Sequence, residues 1–220
     1  MYRRLGKRLF DLVLTVPALV LLTPVFVVIA LLVRWRLGKP ILFRQRRPGR
    51  GEALFDIIKF RSMTTACDPS GKLLPDRERL TRFGRLLRAS SLDELPELFN
   101  VLKGEMSLVG PRPLHPKYGP YYTSTERCRF EVLPGITGWA QINGRNNLGW
   151  DERLACDVWY VENCSLWLDL KILAITVFKV LRRADVQVDP KSAMRNLDDV
   201  RRERLRLAEP TFPPHEASRP

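Results

Sequence analysis

At 220 residues, with 37 Lys and Arg against 24 Asp and Glu, the chain carries a formal charge of +13 and a pI of about 10.1. That length allows one good core with a membrane element attached, and the charge points to an anionic partner: nucleic acid, anionic lipid or phosphorylated substrate. Two histidines, and four cysteines (Cys67, Cys128, Cys156, Cys164) without a CxxC pair, leave histidine triads and Cys/His metal sites little to draw on; the thiols read as free in a reducing cytoplasm, and acid–base work falls to carboxylates.

Leu12 to Val33 is a 22-residue run without a charged side chain, long enough to cross ~30 Å of hydrocarbon as a helix. Thr23-Pro24 interrupts it and Pro17 lies earlier; proline removes a helical hydrogen bond and favours a kink. Both flanks are basic, with Arg3, Arg4, Lys7 and Arg8 before and Arg34, Arg36 and Lys39 after, so the positive-inside rule places both ends in the cytoplasm. A broken, re-entrant helix entering and leaving by the cytoplasmic face satisfies both observations; a span and a signal peptide are the open alternatives. Arg34, Arg36, Lys39, Arg44, Arg46, Arg47 and Arg50 fall within 17 residues free of acids, an anchor for anionic membrane lipids at about 1 kcal/mol per cation.

Two β-rich runs, ILFRQ and ALFDIIKF, flank the turn Pro48-Gly49-Arg50-Gly51 and predict a hairpin. Residues 64–79 read as a loop, and helical spacing follows over Leu80–Leu87 and through Leu92, Leu95, Leu98, Phe99 and Leu102. Residues 110–150, rich in Pro and Gly, predict irregular backbone. Leu166–Arg183 predicts an amphipathic helix, with Asp169, Thr176, Lys179 and Arg183 as its polar stripe, that lies in the membrane interface or, as the pattern alone also allows, in the core. The fold class expected is α/β (α+β), mainly helical with a small hairpin. Its parts are a membrane segment over 1–38, a catalytic domain over 39–184 and a polar, mobile tail over 185–220.

The chemistry concentrates in Ser91–Pro113, which holds the adjacent acids Asp93 and Glu94, Glu105, and Arg112 between Pro111 and Pro113. Ser91-Leu92-Asp93-Glu94 also fits a capping box, with Ser91 as N-cap and Glu94 reaching back to its amide. The two readings are compatible, because a helix N-terminus holds phosphate and keeps a carboxylate ionised. Lys59, Arg61, Arg88 and Arg112 supply cations to neutralise phosphate, which is most of what phosphoryl transfer asks of a protein. Neither a Walker A nor a GxGxxG sequence occurs, which excludes the common nucleotide loops.

These residues resemble a known family. KFRSM (Lys59–Met63), LRASSLDELPELFNVLKGEMSLVGPRP (Leu87–Pro113), PGITGWAQINGRN (Pro134–Asn146) and DVWYVENCSLWLDLKIL (Asp157–Leu173) are similar to the motifs of the bacterial sugar transferases, specifically the small monotopic phosphoglycosyl transferases. The resemblance implies transfer of a sugar-1-phosphate from a UDP-sugar to a polyprenol (undecaprenyl) phosphate with Mg2+, at the cytoplasmic face of a bacterial inner membrane, opening glycan assembly. Asp93 would be the nucleophile and metal contact, forming a sugar-phosphoryl ester with release of UMP, and Glu94 its partner. Lys59, Arg88 and Arg112 within Pro111–Pro113 would contact phosphates, and Arg145 and Asp157 would be site residues. The family's re-entrant helix breaks at Ser-Pro, for which Thr23-Pro24 stands here. Glu105 reads as a site acid or a salt-bridge partner; Gln141, with Trp139, reads as a uridine contact or a shaper of the Gly-rich loop; His115 reads as structural. A single apolar run cannot build a polytopic transferase. The competing class is a basic membrane-anchored module binding anionic lipid or nucleic acid, but cations interleaved with carboxylates and prolines are not a nucleic-acid pattern, so no nucleic-acid partner is expected. A homo-oligomer is left open.

Overall fold

The computed structural model describes residues 2–144, 148–182 and 195–208. It is mainly helical, with two small two-stranded sheets and one long apolar N-terminal helix. A π-type turn (Tyr2–Gly6) leads into α1 (Lys7–Leu37), the apolar helix. Helical structure continues through both prolines, so the interruption expected at Thr23-Pro24 is not a loss of helix. Each proline removes only its own hydrogen bond, and the Thr23 hydroxyl donates to the Leu19 carbonyl at 2.8 Å. Both ends of α1 pack on the rest of the chain. Lys7, Asp11 and Thr15 are buried at one end and Ile29 and Val33 at the other, with no buried residue between Thr15 and Ile29.

The expected hairpin forms from β1 (Leu42–Pro48) and β2 (Leu54–Phe60), antiparallel and in register from Leu42 opposite Phe60 to Pro48 opposite Leu54. After the loop come α2 (Asp76–Arg79) and α3 (Arg82–Ala89), the latter capped by Thr81, whose hydroxyl accepts from the Gly84 amide at 3.0 Å. A Cβ on Gly84 would stand 1.8 Å from the Ser62 carbonyl oxygen, so glycine lets α3 lie directly on the end of the KFRSM segment. Then follow a 3-10 turn (Leu92–Glu94) and α4 (Glu97–Lys103), which ends at Gly104 with φ 85°.

β3 (Ser107–Val109), just before the stretch read as irregular, and β4 (Gly135–Thr137), within it, pair in parallel, Ser107 opposite Gly135 and Val109 opposite Thr137. Three-residue strands carry too little pattern to be read from sequence. Beyond them lie α5 (Trp139–Ile142), α6 (Trp150–Asn163) and α7 (Leu166–Leu181). Val109, Val132, Ile142, Tyr160, Val161, Leu168 and Ile172 form one core between β3, α6 and α7, while Ile29, Val33, Phe60 and Leu87 join the end of α1 to β2 and α3.

In α7 two residues of the polar stripe face the protein, while Arg183 lies outside the described residues: Asp169 is fully buried, accepting from Lys7 (2.6 Å) and Tyr160 (2.7 Å), and Thr176 bonds Thr137 at 2.7 Å. Ile172 lies in the core, whereas Leu166, Trp167, Leu170, Val177 and Phe178 are exposed. Part of the tail is also ordered: α8 (Leu197–Ala208) docks through Leu197, which is fully buried. Its many charges hid one apolar anchor.

Candidate active site

The hairpin, the 3-10 turn and the first turn of α4 bring the acids and cations together. Ser91 has left-handed backbone (φ 56°) and its side chain caps nothing, so the capping box does not form. A left-handed non-glycine residue costs roughly 1–2 kcal/mol and is a feature of strained functional turns. Glu94, freed from capping, accepts from Lys59 Nζ at 2.6 Å and from Arg112. Lys59 Nζ also lies 3.0 Å from Glu97 Oε1. Arg88, on the helix that Gly84 lets down, donates through Nε to Ser62 Oγ at 2.9 Å. Asp93 is 8% exposed, yet among the described residues no hydrogen bond or ion pair engages its carboxylate.

These surroundings divide the three acids electrically. Burial, and secondarily the neighbouring Glu94 charge, push Asp93 up to about 6 against the pull of Lys59, Arg88 and Arg112. Burial opposes ionisation of Glu94 too, but Arg112 and Lys59 outweigh it and hold that carboxyl well below the usual range. Glu97 is pushed up, first by burial and then by Glu94. Arg112 is held more firmly protonated by Glu94. One carboxylate is thus locked into cations while its neighbour is buried, unengaged and ionised above mildly acidic pH, as a nucleophile toward phosphorus must be.

Arg112 is seated from behind. Buried Arg129 donates to the Arg112 carbonyl (2.7 Å), to Asp157 (2.8 Å) and to the Tyr122 hydroxyl (2.9 Å). Asp157, expected as a site residue, therefore acts one layer back, through Arg129, and burial raises it against that guanidinium. Pro111 accepts from the Gly135 amide at 3.0 Å, and a Cβ on Gly135 would come within 2.0 Å of the Gly110 nitrogen, so glycine permits the strand pairing that fixes the PRP turn.

Other expected site residues lie elsewhere. Arg61 caps the end of α1, donating to the Lys39 carbonyl (3.0 Å) and to that of Leu37, which the helix end leaves without an intrahelical partner. Glu105 accepts from Asn100 Nδ2 (2.6 Å), whose side chain also ties α4 to the β2 backbone at Ile58 and Asp56, so it belongs to that brace. Gln141 donates to the Ile136 carbonyl at 3.2 Å, and Trp139 stacks on Trp159 at 4.4 Å, which shapes the Gly-rich turn. His115 caps a 3-10 turn through Nδ1, as a structural residue should. Arg145 lies outside the described residues. Sequence reasoning missed Glu97, although its spacing of four from Asp93 and three from Glu94 marks a shared helical face. It also missed Arg129, for which no local signal exists.

Residues 2–183 match the family described as bacterial sugar transferase. The chain is 52% identical to the uncharacterized sugar transferase EpsL of Bacillus subtilis (strain 168) over 181 residues, 82% of this chain and 90% of that one. It is 41% identical over 191 residues, 82% of this chain and 40% of the relative, to a UDP-glucose:undecaprenyl-phosphate glucose-1-phosphate transferase of Xanthomonas campestris pv. campestris. It is 40% identical over 197 residues, 82% of this chain and 41% of the relative, to an undecaprenyl-phosphate galactose phosphotransferase of Salmonella typhimurium. The chain thus spans less than half the length of these last two relatives.

Proposed function

The chain belongs to the bacterial sugar transferases, and from that premise we propose that it is a membrane phosphoglycosyl transferase that moves a sugar-1-phosphate from a UDP-sugar to undecaprenyl phosphate. The relatives named for glucose and galactose transfer support the reaction class. The observation that carries the chemistry is the buried, unengaged Asp93 carboxylate beside the Glu94–Lys59–Arg112 cluster.

In this reading a carboxylate oxygen of Asp93 attacks the β-phosphorus. A bond forms from Asp93 to phosphorus as the bond to the bridging oxygen breaks, and that oxygen leaves with its electron pair as part of UMP. A phosphate oxygen of the lipid then attacks the same phosphorus and breaks the Asp93–phosphorus bond, giving the polyprenyl diphosphate sugar and restoring the carboxylate. Arg112, Lys59 and Arg88 neutralise charge on the equatorial oxygens. Glu94 holds Lys59 and Arg112 side by side, and its firmly ionised state suits that role better than proton abstraction. Among the described residues no group of three or more His, Cys, Asp or Glu side chains is placed to hold a metal ion. Mg2+ commonly uses one or two carboxylates plus substrate phosphates, so Asp93 fits as its protein ligand, with the diphosphate supplying further oxygens; bound there, the ion would offset phosphate charge.

The site would work at the cytoplasmic face. Both ends of α1 are basic and pack on one body, which supports a re-entrant segment, and the outward apolar face of α7 supports an interfacial seat among anionic lipids. Intact-protein mass spectrometry with UDP-sugar and Mg2+, without lipid acceptor, should reveal an adduct of sugar-phosphate mass on the peptide 91–103. Asp93→Asn should abolish both adduct and UMP release; an Asp93→Asn enzyme that still turns over would refute the covalent route.

A further inference from the structure

We propose that α8, outside the stretch matched to the family, is a positioning element for Arg112. It joins the segments that carry Arg129 and its partners. Leu197 fills the cluster of Tyr118, Tyr122, Phe130, Trp150 and Leu154, with Val200 packed beside it. Trp150 Nε1 donates to the Arg195 carbonyl at 2.7 Å, and Tyr118 donates to Asn196 Oδ1 at 3.2 Å. Around this apolar contact, Lys117 pairs with Asp198 (3.1 Å), and Arg201 with Glu126 (2.6 Å) and Asp151 (2.9 Å).

The path from α8 to the site is short and made of direct contacts. Leu197 lies in one cluster with Tyr122 and Phe130, and the Arg129 guanidinium lies over both rings, at 5.3 and 5.8 Å from their centroids. Arg129 grips the Arg112 carbonyl, and Arg112 holds Glu94. Without α8 the cluster loses one wall, and the segment from Leu114 to Phe130 loses its Lys117–Asp198 and Glu126–Arg201 pairs. Arg129 then sits in a looser cage and Arg112 drifts. Leu197 is thereby a positioning residue for phosphate binding, acting through two intermediaries.

The activity arm of the test rests on the phosphotransfer reading; the exchange arm does not. In the full-length protein in nanodiscs, Leu197→Ala should lower kcat by about ten- to a hundredfold, the scale of a remote misplacement near 1 Å. Leu197→Met, which preserves volume, should restore most of it. In the Arg112→Ala background, Leu197→Ala should cost little more, because both changes disable one device. Hydrogen exchange should show lost amide protection over residues 112–131 in Leu197→Ala and unchanged protection in α4 and β2. Should Leu197→Ala itself fail to fold, Arg201→Glu, which reverses the ion pairs without emptying the core, replaces it in both arms. Additive losses in the cycle, or unchanged protection over 112–131, would overturn the proposal. A wild-type protein that releases no UMP would sink the phosphotransfer reading instead, while the exchange measurement still decides whether α8 controls the Arg112 segment.

Discussion

A carboxylate buried without a partner should make the folded protein less stable where it is ionised, and Asp93, the proposed nucleophile, allows that cost to be measured. Its folded value, about 6 against an ordinary 3.8, means that the folded state holds this proton more tightly than the unfolded chain does. The stabilising contribution is therefore full below about pH 4 and is lost as pH rises through about 6. At ~1.36 kcal/mol per pH unit the displacement is worth about 3 kcal/mol. Asp93→Asn cannot titrate, so its stability advantage over the parent should grow by that amount between about pH 4 and about pH 8. For a chain of this size, that is a widening of roughly 6–12 °C in the difference of Tm. The assay is thermal unfolding of both proteins in one detergent, with a chelator present to keep the carboxylates free of divalent ions. A Tm difference that stays flat across this range would refute the desolvated-nucleophile argument, and a difference that narrows toward high pH would show that the cations, not burial, dominate at Asp93.

Two further outcomes follow from the same contacts. Asp157→Ala leaves the Arg129 guanidinium buried without its carboxylate and should cost about 3–5 kcal/mol of stability, read by denaturant unfolding; a loss below about 1 kcal/mol would mean that Arg129 relaxes to water. Single cysteines placed at Arg3 and Lys39 in a cysteine-free background should both resist an impermeant thiol reagent added outside intact cells and react once the inner face is opened; external labelling of either would rule out the re-entrant topology.

Features carried by local pattern were legible in the sequence, and features carried by distant partners were not. The hairpin was readable because two apolar-rich runs bracket a Pro-Gly turn, and the register follows from that turn. Asp93 and Glu94 were readable as a pair, but the choice between capping and catalysis turned on the Ser91 backbone, whose positive φ no sequence pattern marks for a serine. Glu97 looks like a helix-surface acid by spacing; in the fold it is buried, with Lys59 of β2 as its counter-ion. Arg61 and Asp157 were assigned by the company they keep in sequence. In space the first serves α1 and the second serves Arg129, an arrangement set by tertiary packing that no window of neighbouring residues contains.

The same limit holds for α7: the pattern marks its polar stripe but not the partners that draw Asp169 and Thr176 inward. In water a helix buries its apolar stripe and exposes its polar one. Here α1 turns Lys7, Asp11 and Thr15 inward and leaves Leu9, Val13, Val20 and Leu21 exposed, and α7 turns Asp169 and Thr176 inward and leaves Trp167, Val177 and Phe178 exposed. The proposed membrane seat requires this pattern, because against hydrocarbon outward apolar side chains cost nothing and polar ones must find partners within the protein. The Lys7–Asp169 pair at 2.6 Å joins these inward faces. A buried ion pair contributes less to stability than to fixing one arrangement, and the arrangement fixed here is that of α1 on α7. From the next residue, Arg8 reaches the last turn of α4, donating to the Leu102 carbonyl at 2.8 Å and to that of Val101, while the first turn of α4 holds Glu97 against Lys59. One short helix thus connects the first turns of α1 to the acid cluster, through side chains that sequence patterning assigns to a solvated face.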